Sequence, residues 1–461
     1  MTSTPRRTTS ALAAGLAGSL LVGLLGGSSL AAPRETLFPG QGNAGYQVRA
    51  YDVSIDYQPT TNRAIATVRI RAVARTALRS FHLDFDGPRV TSVVVDGQPA
   101  RSTREGTELV VTPLAVVDAG RFSVTVSYDG RPPEVVDADG STEGWVRTTD
   151  GAIAINEPVG AMSWLPSNNT PGDKARFTYR LSAPAGYSAV ANGELVGTAP
   201  HGTGTTWTWR QEEPMSTFLA VVGFGRYDVV ESSVTSVDGR RLPLWFFEDS
   251  LVGASERARE VLPEVIAFCE ELFGPYPFSS GGHVVDDAYV GYALETQGRP
   301  FYPPDGADTS TVVHETAHQW FGNSVTLTDW HDIWLAEGFA TYAEWMWSGA
   351  RGGRTPQEHF DALYARDADD DLWSPAPVRF TDPADLFGEP VYARGAMTLH
   401  ALRREIGTRD FLALARRWAA DFAYDNVRTR DLERLAEKVS GDQLDELFDD
   451  WLRRDGKPRG Y

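Results

Sequence analysis

Apolar and polar residues alternate with a period of two through the first half of the chain. Residues 53–57, 66–71 and 122–127 follow this pattern, which is typical of strands with one buried face. Turn residues separate these segments, and Asp96-Gly97 and Asp129-Gly130 have the composition of hairpin turns. We therefore predict that this half is all-β, built as a sandwich or as a saddle-shaped set of sheets.

The pattern changes to a helical one after about residue 240. Apolar residues recur three and four positions apart in six segments, residues 254–273, 309–321, 334–348, 396–406, 410–422 and 444–454. Asp332 has the position and residue type of an N-cap for the third segment. The pattern indicates an α+β multidomain fold, with an N-terminal β domain at 32–240 and a mainly helical domain at 241–461.

The charge balance restricts the partners. The 461 residues include 62 acidic and 43 basic side chains, which gives a formal net charge of −19. Nucleic acids and anionic membrane surfaces are bound through basic patches. We therefore predict no nucleic-acid partner and no obligate association with a membrane.

The first 31 residues have the organisation of an export signal. Arg6 and Arg7 precede an uncharged apolar stretch at 11–25, and small residues stand at the cleavage positions around Ala31. A membrane anchor is the alternative, but the apolar stretch is short and contains several glycines. The sequence predicts a signal peptide at 1–31 and a secreted protein. Because Cys269 is the only cysteine, that protein has no internal disulfide, and the apolar neighbours of Cys269 predict a buried thiol.

A metal-binding pattern lies within the second predicted helix. His314 and His318 are four residues apart, so their imidazoles lie on one helix face and can bind one zinc ion. Glu315 is placed to take a proton from a metal-bound water. Glu337 begins the next predicted helix, and the intervening turn can return it to the open side of the ion. A fortuitous pair of surface histidines is the alternative interpretation.

Two segments closely resemble the aminopeptidase N family of zinc peptidases. They are HETAHQWFGN at residues 314–323 and WLAEGFA at residues 334–340. The resemblance implies a thermolysin-like catalytic domain with one zinc ion, and Glu315 as the general base. It also implies three zinc ligands, namely His314, His318 and Glu337.

Three further residues take roles from the same resemblance. Tyr392, in the segment YARG, is similar to the family's tyrosine that stabilises the oxyanion. Glu295, in the segment GYALET, resembles the glutamate that binds the substrate's free α-amine, although Tyr292, Leu294 and Thr296 replace the expected residues. Glu157, in the segment NEP, resembles a second amine-binding acid.

These residues predict a secreted zinc-dependent aminopeptidase that acts on peptides. The degenerate motif around Glu295 leaves open a zinc endopeptidase on the same scaffold. A non-catalytic binding protein is a further alternative, which the complete set of ligands, base and tyrosine argues against. The preferred N-terminal residue and the oligomeric state do not follow from the sequence.

Overall fold

A computed structural model describes Met1, residues 36–252 and residues 256–461. The predicted signal peptide at 1–31 therefore lies, apart from Met1, outside the described residues. Across the described ranges, no helix combines the length and the apolar character needed to cross a membrane.

The N-terminal half consists of strands in three sheets. The strands are β1 (Tyr46–Gln58), β2 (Arg63–Ala74), β3 (Phe81–Asp84), β4 (Arg89–Val95), β5 (Gln98–Pro99), β6 (Arg101–Glu105), β7 (Glu108–Thr112), β8 (Gly120–Gly130), β9 (Glu134–Val136), β10 (Thr142–Arg147), β11 (Ala152–Ile155), β12 (Ala175–Ala183), β13 (Ser188–Ala191), β14 (Glu194–His201), β15 (Gly204–Met215) and β16 (Val222–Gly225). The largest sheet has the order β14-β15-β12-β1-β2-β8-β4-β5, the second β13-β16-β11-β10-β9 and the third β3-β7-β6. The all-β prediction for this half is confirmed.

Alternation along the strands places one face of the large sheet in the core. In β1, for example, Val53, Ile55 and Tyr57 are buried, whereas the residues between them are partly exposed. The predicted turn at Asp96-Gly97 is confirmed, because both residues have positive φ angles between β4 and β5.

The second predicted turn, at Asp129-Gly130, is wrong. Both residues lie within β8 and pair with β2, and the Asp129 carboxylate accepts two hydrogen bonds from Arg63 at 2.7 Å. Strand β8 ends only after Gly130, where Pro132 and Pro133 follow and cannot donate to a ladder.

A fourth sheet connects the two halves. It consists of β17 (Tyr227–Thr235), β18 (Arg241–Asp249), β19 (Gly281–Val285) and β20 (Phe301–Tyr302), in that order. Strands β17 and β18 lie on opposite sides of residue 240, where the domain boundary is predicted. That boundary stays a prediction.

The second half is mainly helical. Its helices are α1 (Glu256–Phe273), α2 (Thr309–Ala317), α3 (Trp334–Ala350), α4 (Pro356–Tyr364), α5 (Gly395–Asp421), α6 (Thr429–Ser440) and α7 (Asp445–Phe448). Short strands β21 (Thr326–Leu327) and β22 (Asn426–Val427) pair in parallel. Gly407 interrupts α5 with φ 82° and ψ 155°, and this break separates the segments predicted at 396–406 and 410–422. Cys269 is buried within α1, as predicted.

Two details near the predicted metal centre differ from expectation. Helix α2 ends at Ala317 rather than at residue 321. The predicted helix was too long because the buried Trp320 and Phe321, which follow the helix, continue its apolar pattern. Asp332 is not the N-cap of α3. Its carboxylate instead accepts hydrogen bonds from the amide and hydroxyl groups of Thr429, the first residue of α6.

Candidate metal centre and active site

Helices α2 and α3 bring three candidate ligands together. His314 lies in the last turn of α2, His318 follows directly as its C-cap, and Glu337 lies in the first turn of α3. Oε2 of Glu337 is 3.1 Å from Nε2 of His314 and 3.4 Å from Nε2 of His318. One ligand atom from each residue lies within 4.8 Å of the other two. The structure thus places the predicted ligand set in one cluster.

The other ring nitrogen of each histidine has its own partner. Nδ1 of His314 is 2.7 Å from the Glu344 carboxylate, and Nδ1 of His318 is 3.1 Å from the carbonyl oxygen of Phe321. Both partners accept a hydrogen bond from Nδ1–H, which leaves the Nε2 lone pairs directed at the cluster. Two imidazole nitrogens and one carboxylate oxygen form the donor set of a catalytic zinc site, so these residues fit that ion.

Charge is concentrated at this cluster. Burial raises the pKa of Glu337, but the electrostatic effect of His318 and His314 lowers it more, to about 2. Glu337 is therefore ionised at neutral pH, as a metal ligand must be.

Glu315 is held next to the ligands on the same helix. Its side chain is only 6% exposed. Burial raises the pKa of Glu315 to about 8, against the opposing effect of His314 and His318. A carboxyl group with a pKa near neutrality can both accept and release a proton at physiological pH.

Two more glutamates lie against the metal cluster. Glu157 follows β11, and Glu295 lies in the loop between β19 and β20. One carboxylate oxygen from each lies within 4.8 Å of the other and of a Glu337 oxygen. Both side chains are buried, and Oε1 of each has no hydrogen-bond partner within the described ranges. These oxygens are available to a ligand.

Side chains that follow the metal motif hold the loop of Glu295. Nδ2 of Asn323 donates to the Glu295 carbonyl oxygen at 2.7 Å, and Nε2 of Gln319 donates to the same oxygen at 3.2 Å. Oε1 of Gln319 also accepts from the amide of Gly298 at 2.8 Å. The segment that carries two ligands therefore fixes the position of the candidate amine-binding residue.

Tyr392 reaches the cluster from a π-helical turn, Pro390–Arg394. Its ring lies 6.0 Å from the His314 ring at an interplanar angle of 25°. Arg394 is fully buried and donates to backbone carbonyl oxygens, including those of Trp373 and Trp451. These bonds hold the turn against the segments that contain Trp373 and Trp451. π-Helical turns of this kind are frequent at functional sites.

A close contact between α3 and α5 sets the distance of Tyr392 from the cluster. A Cβ atom on Gly338 would lie 2.9 Å from the carbonyl carbon of Gly395, and one on Gly395 would lie 3.1 Å from the Cα atom of Gly338. Neither helix could approach the other as closely with a larger residue. Gly338 follows Glu337 directly and Gly395 lies three residues after Tyr392, so this contact brings the segments that carry Glu337 and Tyr392 together.

Several supporting residues were not found from the sequence. Glu344, Gln319, Asn323 and Arg394 received no role there. Glu344 could have been found, since it lies seven residues after Glu337, or two turns along the same helix face. The bonds of the other three to backbone carbonyls depend on loops whose conformation has no sequence pattern.

Both halves of the chain match domains of one peptidase family. Residues 49–219 match the Peptidase M1 N-terminal domain, and residues 305–451 match the Peptidase family M1 domain. Aminopeptidase M1-D of Oryza sativa subsp. japonica is 28% identical over 343 residues, which are 68% of this chain and 38% of the rice protein. The probable aminopeptidase 2 of Sulfurisphaera tokodaii is 27% identical over 66% of this chain and 41% of its own length. The chain thus spans well under half the length of these curated relatives.

Solved structures cover much more of the chain. An M1 zinc metallopeptidase from Deinococcus radiodurans has a TM-score of 0.81 at 28% identity, over 93% of this chain and 99% of that one. A variant of the same enzyme bound to a Tyr-Ser-Ala substrate has a TM-score of 0.82 at 27% identity, over 92% and 99%. Because both domain families and these structures match across the two halves, the chain belongs to peptidase family M1, whose solved two-domain relatives are zinc metallopeptidases.

Proposed function

We propose that this protein is a zinc-dependent aminopeptidase that removes N-terminal residues from peptides. The observation that carries the proposal is the pair of buried carboxylates, Glu157 and Glu295, each with an oxygen that lacks a hydrogen-bond partner among the described residues. Burying carboxylates without a partner is costly. A substrate's α-ammonium group supplies both the opposite charge and the hydrogen bonds that these oxygens lack.

The position of these two residues favours removal of a single residue. Both lie within reach of the Glu337 carboxylate, so an ammonium group held by them lies close to the metal ligands. A fixed distance between the amine site and the cluster then aligns the first peptide bond for hydrolysis. Although the motif around Glu295 is degenerate, the glutamate itself is present. Tyr292, one of the replaced residues, donates a hydrogen bond from its hydroxyl to the Thr142 carbonyl oxygen instead of entering the cluster.

The reaction is an acyl transfer to water. Zinc held by the two histidines and Glu337 supplies Lewis acidity, which lowers the pKa of a water towards about 7. Glu315 takes a proton from the attacking water and later delivers it to the leaving amine. The Tyr392 hydroxyl donates a hydrogen bond to the carbonyl oxygen as that oxygen gains negative charge.

Relatives support the same substrate class. The curated relatives are named aminopeptidases. Two-domain M1 zinc metallopeptidase variants have been solved with L-arginine and with L-tryptophan, and free amino acids are the products that an aminopeptidase releases. Peptides are therefore the substrates we assign to this chain.

Export is the second part of the proposal. The Arg6-Arg7 pair, the apolar stretch at 11–25 and the small residues before Ala32 support a cleaved signal peptide. Mass spectrometry of the intact protein from culture medium tests this part. A mature chain beginning near Ala32 is expected, and a chain that stays in the cell with residues 1–31 attached would contradict it.

Cleavage mapping tests the activity. One peptide is offered with a free and with an acetylated N-terminus, with and without a zinc chelator, and the products are identified by mass spectrometry. Stepwise release of N-terminal residues from the free peptide only, abolished by chelation and restored by zinc, is the expected result. Internal cleavage of both peptides would instead indicate a zinc endopeptidase, and the absence of cleavage in either would favour a binding protein.

A further inference from the structure

The outer face of the eight-stranded sheet is basic although the whole chain is strongly acidic. A depression of about 1090 Å³ on this face is bordered by seven arginines and three carboxylates. The arginines are Arg49, Arg69, Arg71, Arg121, Arg176, Arg180 and Arg210, and the carboxylates are those of Asp52, Asp96 and Glu212. The local excess of four positive charges contrasts with a net charge of −19 for the chain. We call this surface the arginine face.

Strand register explains why the arginines gather there. Thr178 of β12 pairs with Arg210 of β15 and with Asp52 of β1, and Asp52 pairs in turn with Arg69 of β2. These residues therefore form one row across four strands. Residues paired directly across strands point to the same face of a sheet, and because the residues on either side of them along each strand are buried, this face is the one away from the core. Arg71 lies in a neighbouring row opposite Ser123 of β8. Together with β8 the row of strands is β15, β12, β1, β2 and β8, and with adjacent strands about 4.8 Å apart these five strands span about 19 Å.

Most of these charges are available to a partner. Arg49, Arg69, Arg121 and Arg180 are exposed, and none has an ion pair with any residue that the structure describes. Their guanidinium groups are therefore exposed to water and carry a positive charge that no ion pair neutralises. A set of unpaired guanidinium groups on one surface repels itself, and an anionic partner removes that repulsion.

The remaining arginines of the face are only weakly neutralised. Arg71 is 3.5 Å from Asp52, while Arg176 and Arg210 share Glu212 at 3.8 and 3.6 Å. The side chains of these three arginines are all more than half exposed, and ion pairs of this kind contribute little in water. A partner with several anionic groups can therefore compete for these guanidinium groups.

Hydroxyl groups fill the rows between the charges. Arg180 pairs with Thr208 on one side and with Ser54 on the other, and Ser54 pairs in turn with Thr67. Thr67 and Ser127 exchange a hydrogen bond at 3.0 Å on the next strand. The face thus alternates forked cationic donors with small hydroxyl donors and acceptors.

The described residues that border the depression offer no exposed aromatic ring for stacking. Phe122 and Phe177 border the depression, but both are buried and pack against Tyr46 and Tyr51 of the core. Proteins that bind single-stranded nucleic acid combine a basic groove with exposed aromatic rings on which bases stack. Arginine forks match sulfate and carboxylate groups, and hydroxyl groups match those of a sugar.

We propose that the arginine face binds a linear anionic polysaccharide, carrying sulfate or carboxylate groups, in the depression across β15, β12, β1, β2 and β8. Its binding is independent of the metal centre, because none of the residues that border the depression belongs to the candidate active site. The interaction would hold the peptidase on a polyanionic matrix while the metal centre stays free to act.

The test uses the zinc-loaded full-length protein and fluorescein-labelled dextran sulfate, with neutral dextran as the matched probe. In fluorescence anisotropy, dextran sulfate should bind with an affinity that falls as salt rises, and neutral dextran should not bind. The triple substitution of Arg69, Arg121 and Arg180 by Ser should weaken binding at least about tenfold, since each exposed charge contributes a fraction of the total. Peptidase activity and the melting temperature should stay unchanged.

A control variant separates this face from general charge effects. Arg79, Arg101 and Arg430 are exposed arginines outside the face, and their triple substitution by Ser changes the net charge by the same amount. Its affinity for dextran sulfate should stay within about twofold of the unmodified protein. Equal weakening in both triple variants, no binding of dextran sulfate, or tighter binding of a single-stranded RNA of matched charge would each overturn the proposal.

Discussion

Glu344 accepts a hydrogen bond from Nδ1 of His314 at 2.7 Å, and this bond directs Nε2 of the same ring at Glu337. The two glutamates lie two turns apart on α3, so a single helix supplies both a ligand and the group that orients another ligand. The geometry of the metal centre therefore depends on the rigidity of α3 as well as on the histidine motif of α2.

Substitution of Glu344 by Gln should weaken zinc binding about 10- to 100-fold, because the imidazole loses its charged acceptor. A competition titration with a chromogenic zinc chelator measures this effect. Glu271→Gln is the matched control, since Glu271 is an exposed glutamate on α1. An affinity for zinc equal to that of the unmodified protein would remove Glu344 from its role.

Substitutions of Glu315 and Glu337 should have different effects, one on turnover and the other on zinc content. Glu315→Gln should retain one zinc ion per chain and lower kcat by about 10²- to 10⁴-fold, because no group then accepts the water's proton. Glu337→Ala should instead lower the zinc content, since one of three ligands is lost. Metal analysis and peptide kinetics on both purified variants distinguish the two. Near-normal turnover in the Glu315 variant would contradict its role as the base.

Tyr392→Phe removes one hydroxyl donor and leaves the ring beside His314. The variant should lose roughly 100-fold or more in kcat with little change in KM, because the bond forms only as charge develops on the substrate oxygen. Tyr187→Phe, on a half-buried tyrosine of the β domain, serves as the control. A change in KM alone would indicate that Tyr392 binds the ground state instead.

Lys174 connects the β domain to the turn after the metal motif. Its ammonium group donates to the carbonyl oxygens of Asn323 at 2.9 Å and Ser324 at 2.7 Å, and burial lowers the pKa of Lys174 to about 7. An unfolded lysine keeps its proton up to about pH 10.4. Between these values the unfolded chain binds more protons, so the Lys174 contribution makes the free energy of unfolding rise with pH from about 7 upward.

Lys174→Met should therefore flatten the pH dependence above pH 7. At neutral pH it should also destabilise the protein by about 1–3 kcal/mol, because two buried carbonyl groups lose their donor. Urea unfolding at pH 7 and pH 9.5 measures both effects. Lys438→Met, an exposed lysine on α6, is the control, and equal pH slopes in the two variants would contradict the assignment.

Regular periodicity made the fold predictable where elements pack by one face. The alternation in β1, β2 and β8 and the spacing in α3 and α5 indicated strands and helices that the structure confirms. The break at Gly407 falls between the two segments predicted within α5. Strands β18, β19 and β20 were missed because their short apolar runs carry no period that separates a strand from a helix. The first and last turns of helices were also uncertain, since capping depends on tertiary contacts such as that between Asp332 and Thr429.

The site was predictable to a similar degree. His314, His318 and Glu337 follow from local spacing and from a resemblance, and the structure brings them together. The approach of Glu157 to Glu295 depends on how the β domain packs on the helical one, which no local pattern encodes. The net charge of the chain did not indicate the arginine face, because it is a sum over all residues and contains no information about which of them lie side by side on a sheet.

We propose that Glu295 restricts cleavage to the N-terminal residue by binding the α-amine of the substrate. The most direct test of this role compares two peptides. One carries the α-amine on its first residue, and the other carries a hydrogen atom in its place. The ratio of their kcat/KM values is measured for the unmodified protein and for Glu295→Gln.

We predict that the unmodified enzyme favours the amine-bearing peptide by at least about 30-fold, since a buried charge pair contributes 2 kcal/mol or more, and that Glu295→Gln removes most of this preference. Equal cleavage of both peptides by the unmodified enzyme, or an unchanged ratio in the variant, would contradict the claim.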